Sequence, residues 1–168
     1  MTDKFEIYQS GNQFSSNKSS AIALASKSSL GELKSGKIVY SLYEILYLLD
    51  KKHAELIKQN KKVSFEQLLK KANENIYSAF KDLKEKGYIL KEGLKFGADF
   101  RVYNKGDKPG KAHAKYLLYA ISSNQKISPK DLAAKARIAH STNKILLLAI
   151  VDSEQDISYY EINWKSRE

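Results

Sequence analysis

"SPKDLAAKARIAHSTNKILLLAIVDSEQDISYYEINW", residues 128–164, decides the fold of the C-terminal half. Its centre, "KILLLAIVD" from Lys144, holds a continuous apolar run with no side left for water. A run of that length and type reads as a strand covered on both faces. Ahead of it the pattern is helical. Ser128 is placed as an N-cap, Pro129 sits in the first turn, and Leu132, Ala136 and Ala139 or His140 share one face. That reading puts His140 on the inner side of the helix as a hydrogen-bonded residue. Behind the run, "DSEQD" is a turn, and "ISYYEINW" alternates as a strand that pairs back.

Working outward, "YILKEG", "LKFGADFRVYN" and "AKYLLYAIS" read as strands joined by glycine-containing turns. Residues 88–168 are therefore expected to form a small mixed sheet with one main helix. Residues 1–87 have a different character. "KFEIYQ" and "SAIALAS" read as short strands, and the serine-rich "SGNQFSSNKSS" between them as a loop. "GELKSGKIVY" reads as a turn leading into a strand. Ser41 with Glu44, and Ser64 with Gln67, are two capping boxes. The segment after Ser64 holds two helices broken near Asn73–Asn75, and Gly87 closes the second. Helix, helix, then "GYIL" is a winged-helix-like order. The expected class is α/β in the α+β sense, with a mixed N-terminal domain over 1–87 and a second domain over 88–168.

The chain has 168 residues, enough for two small domains. It contains no cysteine, which excludes disulfides, thiolate catalysis and cysteine–zinc sites. No apolar run approaches the ~20 residues of a membrane helix. "MTDKFEIYQS" lacks the basic start and apolar segment of a secretory signal, so a cytoplasmic location is expected. The net charge is +10, nearly all from lysine, and it favours a polyanionic partner, chiefly nucleic acid or an anionic membrane surface. Eleven tyrosines add surfaces on which unpaired bases can stack.

Three residues of the C-terminal half suit phosphodiester chemistry without a metal. Tyr103 ends one expected strand, His113 starts the next, and Lys144 starts the apolar run. Tyr103 and His113 are joined by a loop carrying Lys105, Lys108 and Lys111. Cleavage of RNA by its own 2′-hydroxyl needs a base for that proton, an acid for the leaving 5′-oxygen and a cation for the phosphorane-like transition state. An imidazole suits the acid, and an ammonium suits the cation. A phenol serves as base only where cations favour its ionised form. Spacing alone decides nothing, because Tyr43, His53 and Lys84 repeat the same separations of 10 and 31 positions.

Local context does decide. "FGADFRVYNKG", "HAKYLLYAI", "RIAHSTNKILLLAIVD" and "DISYYEINW" together resemble the archaeal tRNA-splicing endonucleases, over roughly residues 86–164 and more loosely over "SLYEILYLL" and "VSFEQLL". The resemblance implies a Tyr–His–Lys triad at Tyr103, His113 and Lys144. It implies cofactor-free, metal-independent cleavage of precursor tRNA at intron boundaries in a bulge-helix-bulge, leaving 2′,3′-cyclic phosphate and 5′-hydroxyl ends. It further implies that Arg137 and Trp164 grip a flipped-out base. Asp152, Glu154 and Asp156 become subunit-assembly residues, in a homo-oligomer or in a heterotetramer with a non-catalytic structural subunit. The rival readings are a winged-helix-type nucleic-acid-binding protein, a metal-dependent nuclease and a non-catalytic subunit. The first leaves the Tyr–His–Lys context unused, and the second finds no convincing carboxylate set in Asp99, Asp107 and Asp152. The third sits poorly with an intact triad.

Overall fold

The structure, a computed structural model, describes residues 4–165. The chain divides into two compact units, Met1–Tyr77 and Ser78–Glu168. Its class is α+β: each unit is built on its own mixed sheet. No helix among the described residues is long and apolar enough to cross a membrane.

The first unit carries strands β1 (Phe5–Ser10), β2 (Gln13–Ser16), β3 (Glu32–Lys34), β4 (Lys37–Tyr40), β5 (Ala54–Lys58) and β6 (Lys61–Val63). They form one sheet in the order β3-β4-β2-β1-β5-β6, with β1 and β5 parallel and the other pairs antiparallel. Its helices are α1 (Ser19–Ser28), α2 (Leu42–Asp50) and α3 (Phe65–Leu69). Both expected capping boxes are present. Ser41 and Ser64 accept from the N–H groups of Glu44 and Gln67, whose side chains accept in return from the cap N–H groups. Glu44 goes further: its second carboxylate oxygen accepts from Gly31 N–H at 2.9 Å, which explains a carboxylate buried among apolar neighbours. The hairpin turns between β3 and β4 and between β5 and β6 place Ser35–Gly36 and Gln59–Asn60 at positive φ, as two-residue turns require.

Two expectations fail here. "SAIALAS" lies in helix α1, not a strand. A short alanine-rich run has no decisive period, and alanine favours the helix. The serine-rich segment is not all loop, because Gln13–Ser16 is β2, an inner strand between β1 and β4. Phe14 and Ser16 point inward, and the Ser16 hydroxyl is satisfied by donating to the Glu6 carbonyl at 2.6 Å.

The second unit holds most of α4 (Glu74–Glu85), then β7 (Ile89–Glu92), β8 (Phe100–Tyr103), β9 (Tyr116–Ser122), α5 (Pro129–Ser141), β10 (Ile145–Val151) and β11 (Ile157–Ile162). The break before α4 is chemical, since the Asn73 side chain accepts from the N–H groups of Asn75 and Ile76. The sheet order is β11-β10-β9-β8-β7, and only β9 and β10 run parallel, joined across α5. α5 starts as read, with Ser128 accepting from Asp131 N–H and Pro129 at the first position. One sheet face packs Leu117, Tyr119, Leu146 and Leu148 against Ala136 and Ala139 of α5. On the other face, Phe80 of α4 meets Phe100 at 5.2 Å, and Tyr159 of β11 donates to Asp82 at 2.7 Å. β10 is thus covered on both sides, as its composition requires. Burying each such leucine is worth roughly 1.5–3 kcal/mol. "LKFGADFRVYN" is not one continuous strand. Leu94–Phe96 is a 3₁₀ turn, and the strand begins at Phe100. Gly93 is needed there because an added Cβ would lie 2.9 Å from the Ala98 carbonyl oxygen.

Candidate active site

The register of three strands gathers the site. Val102, Tyr116 and Ile145 are neighbours across β8, β9 and β10. The hydrogen bonds continue one step beyond them. Lys115 N–H donates to the Val102 carbonyl at 2.8 Å, and Ile145 N–H donates to the Lys115 carbonyl at 3.0 Å. Tyr103, Lys115 and Lys144 therefore stand in one row at one end of the sheet. Alternation along the strands puts Tyr103 and Lys144 on the same face as Arg101, Leu117 and Leu146, the face that α5 covers.

Each side chain is held differently. Tyr103 is buried and packs with Ile89 and Ala114. Lys144 donates from Nζ to the Thr142 carbonyl at 2.8 Å and lies 5.0 Å from the centre of the Phe96 ring. Burial lowers its pKa below the ordinary lysine value, and the nearby charge of Arg101 lowers it further. His113 is exposed, and it does not start β9: the strand begins three residues later, at Tyr116. His113 ends a basic loop, residues 104–115, that folds through two tight turns with Gly106 and Gly110 at positive φ. Ala114 beside it is buried against Tyr103, so the imidazole is tethered at the same end of the sheet while facing solvent.

One residue of this group was missed in the sequence. Arg101 donates from Nε to the Glu92 carbonyl at 2.9 Å and from Nη1 to the Tyr103 hydroxyl at 3.2 Å. The signal was present in "FRVY", because positions two apart on a strand share a face.

The remaining expected residues lie elsewhere in the unit. Arg137 is exposed on α5, next to the buried Ala136. Trp164 follows β11 and rests its ring against His140, with centroids 4.8 Å apart and planes at 53°. His140 is thus exposed, not on the inner face: Ala136 and Ala139 fill that face, and His140 is rotated away from it. Arg137 and His140 are three apart, so they share one flank of the helix. In the turn between β10 and β11, Asp152 accepts from the N–H groups of Glu154 and Asp156, both at 2.9 Å. Its carboxylate shapes the turn, while Glu154 and Asp156 are exposed. Among the described residues, no three His, Asp or Glu side chains converge on a position that would hold a metal ion.

Residues 73–159 match the family model for the tRNA intron endonuclease catalytic C-terminal domain. The chain is also 37% identical to a tRNA-splicing endonuclease of Pyrococcus horikoshii over 98% of both chains. The chain belongs to the tRNA intron endonuclease family. Another family member, the tRNA-splicing endonuclease of Methanothermobacter thermautotrophicus, is 37% identical over 93% of this chain and 95% of its own. That of Nanoarchaeum equitans is 43% identical over 74% of this chain and 87% of its own. The matched family region contains β7 to β10 and with them the whole row of Tyr103, Lys115 and Lys144.

Proposed function

We propose that this chain is the catalytic subunit of a tRNA-intron endonuclease, cutting precursor tRNA at intron–exon junctions within a bulge-helix-bulge. The reading is carried by one observation: strand register brings Tyr103, Lys144 and the segment bearing His113 to one end of one sheet. The 2′-hydroxyl next to the scissile phosphate attacks phosphorus, and the bond to the 5′-oxygen breaks. Tyr103, acting as its phenolate, orients that hydroxyl and receives its proton. His113 donates a proton to the leaving 5′-oxygen, which departs as a hydroxyl. Lys144 faces the phosphate, where a fixed positive charge offsets the charge that develops on the equatorial oxygens. The products are a 2′,3′-cyclic phosphate and a 5′-hydroxyl. The chemistry so written needs no metal, because each proton and each charge has a side chain to meet it.

Arg137 and Trp164 serve RNA binding, gripping an unpaired base by stacking. Glu154 and Asp156, on a turn held by Asp152, serve assembly. The working enzyme is a homo-oligomer or a heterotetramer with a structural subunit, acting in the cytoplasm.

The test is cleavage of a precursor tRNA containing a bulge-helix-bulge, in excess EDTA, with analysis of the ends formed. Cyclic phosphate on the upstream fragment is the expected result. Activity that disappears in chelator and returns with Mg²⁺ overturns the metal-free mechanism. Ends bearing a 3′-hydroxyl and a 5′-phosphate overturn attack by the 2′-hydroxyl.

A further inference from the structure

Arg101 occupies a place that the three-residue scheme leaves without a role. It stands two positions before Tyr103 on β8, so both side chains leave the sheet on the same face. Its Nε is fixed to the backbone of the neighbouring strand at Glu92, next to that strand's register partner for Arg101, Lys91. Its Nη1 reaches the Tyr103 hydroxyl, and its central carbon lies 6.0 Å from the Tyr103 ring centre. A guanidinium is a planar fork of fixed geometry. With one prong tied to the sheet backbone, the other is set in place, and the phenol oxygen it meets is set with it. The same charge is felt at Lys144, where it contributes to holding the ammonium's pKa down.

We propose that Arg101 is a positioning residue of this site, clamping the Tyr103 hydroxyl between strand β7 and the reacting RNA and placing a permanent charge beside it. The inference rests on the endonuclease reading above. Burial against Ile89 and Ala114 fixes the ring, and Arg101 fixes the oxygen. A charge that never titrates also gives the phenolate a constant partner as the proton arrives. Lysine cannot substitute fully, because a single ammonium on a flexible stem cannot hold the Glu92 carbonyl and the phenol in one plane.

The experiment is a double-mutant cycle in single-turnover cleavage of a bulge-helix-bulge precursor tRNA. It uses the parent chain, Arg101→Gln, Tyr103→Phe and the pair, with Arg101→Lys alongside. Far-UV circular dichroism and thermal midpoints identify any variant that is not folded. Arg101→Gln is expected to slow cleavage on the order of 30-fold while leaving the RNA dissociation constant within about 3-fold. Arg101→Lys is expected to recover part of the loss. In the Tyr103→Phe background, Arg101→Gln is expected to cost less than about 3-fold, since its target oxygen is gone. Fully additive losses would overturn the inference, as would equal losses in binding and rate, because Arg101 would then act on the RNA directly. If Arg101→Gln misfolds, full activity in Arg101→Lys does the same. Failure of the parent chain to cut, even with a structural subunit added, overturns the endonuclease reading and is seen before any variant is compared.

Discussion

His113 and Lys144 are the two residues whose surroundings differ most, and their substitutions separate chemistry from folding. His113 is exposed at the end of a loop, so its loss removes no packing. His113→Ala is expected to slow single-turnover cleavage by about 100-fold or more, in the range of general-acid contributions. RNA affinity, measured by filter binding, should change little. Comparable losses in rate and binding would remove the general-acid role. Lys144 is the opposite case, because its charge is held in a partly buried position beside Arg101. A folded-state pKa below the ordinary 10.5 means the charged form is disfavoured by folding. That cost is fully present at neutral pH and shrinks as pH rises through the lowered value, since there the unfolded chain holds the proton more tightly. Lys144→Met is therefore expected to abolish cleavage yet raise the thermal midpoint at pH 7 by up to about 3 °C. The gap should narrow in melts taken at increasingly alkaline pH. A drop in midpoint at pH 7 would contradict this account.

Elements show where the sequence is readable and where it is not. Caps are local chemistry, so Ser41, Ser64 and Ser128 declared their helices without help from the rest of the chain. β10 declared itself because an all-apolar run admits one environment. β2 did not: its serines suit a loop, and its place inside the sheet depends on Phe14 and on a hydroxyl bond to Glu6, which lies ten positions away. The site divides the same way. Tyr103, His113 and Lys144 are singled out by their flanking motifs, and the strand register sets Tyr103 and Lys144 in one row. Arg101 is legible only in part: "FRVY" puts it on the face of Tyr103, but its anchoring depends on which carbonyl β7 presents beside β8. α5 gives this scale its prediction. Ser128→Ala leaves the helix N-terminus without its side-chain acceptor and should cost about 1 kcal/mol, or 2–4 °C in midpoint. Because α5 is the cover over the Lys144 face, the same variant tests whether a frayed first turn reaches the chemistry at the other end of the helix. Unchanged cleavage below the melting range is expected.

On the scale of the molecule, charge and turn geometry set the outcome. In a chain of net charge +10, the turn after β10 exposes two carboxylates on a frame closed by Asp152. Glu154→Lys with Asp156→Lys is expected to lower the oligomeric mass seen by sedimentation and to reduce cleavage in parallel, without shifting the helix signal in circular dichroism. Leaving Asp152 unchanged preserves the turn, so loss of assembly can be assigned to charge reversal. An unaltered sedimentation profile would remove the assembly role. The expected boundary lies near residue 87, whereas the two compact units divide at Tyr77–Ser78, inside α4.

The parallel pairing of β9 with β10 also has a temporal consequence. Tyr103 and His113 are separated by the nine residues 104–112 of one loop, whereas Lys144 joins the row only when β10 pairs with β9 across α5. Non-local parallel pairing is slow, because the intervening chain must be ordered before the new contacts repay it. On the mechanism proposed above, a molecule in which β10 has not yet docked lacks Lys144 at the site and leaves RNA intact.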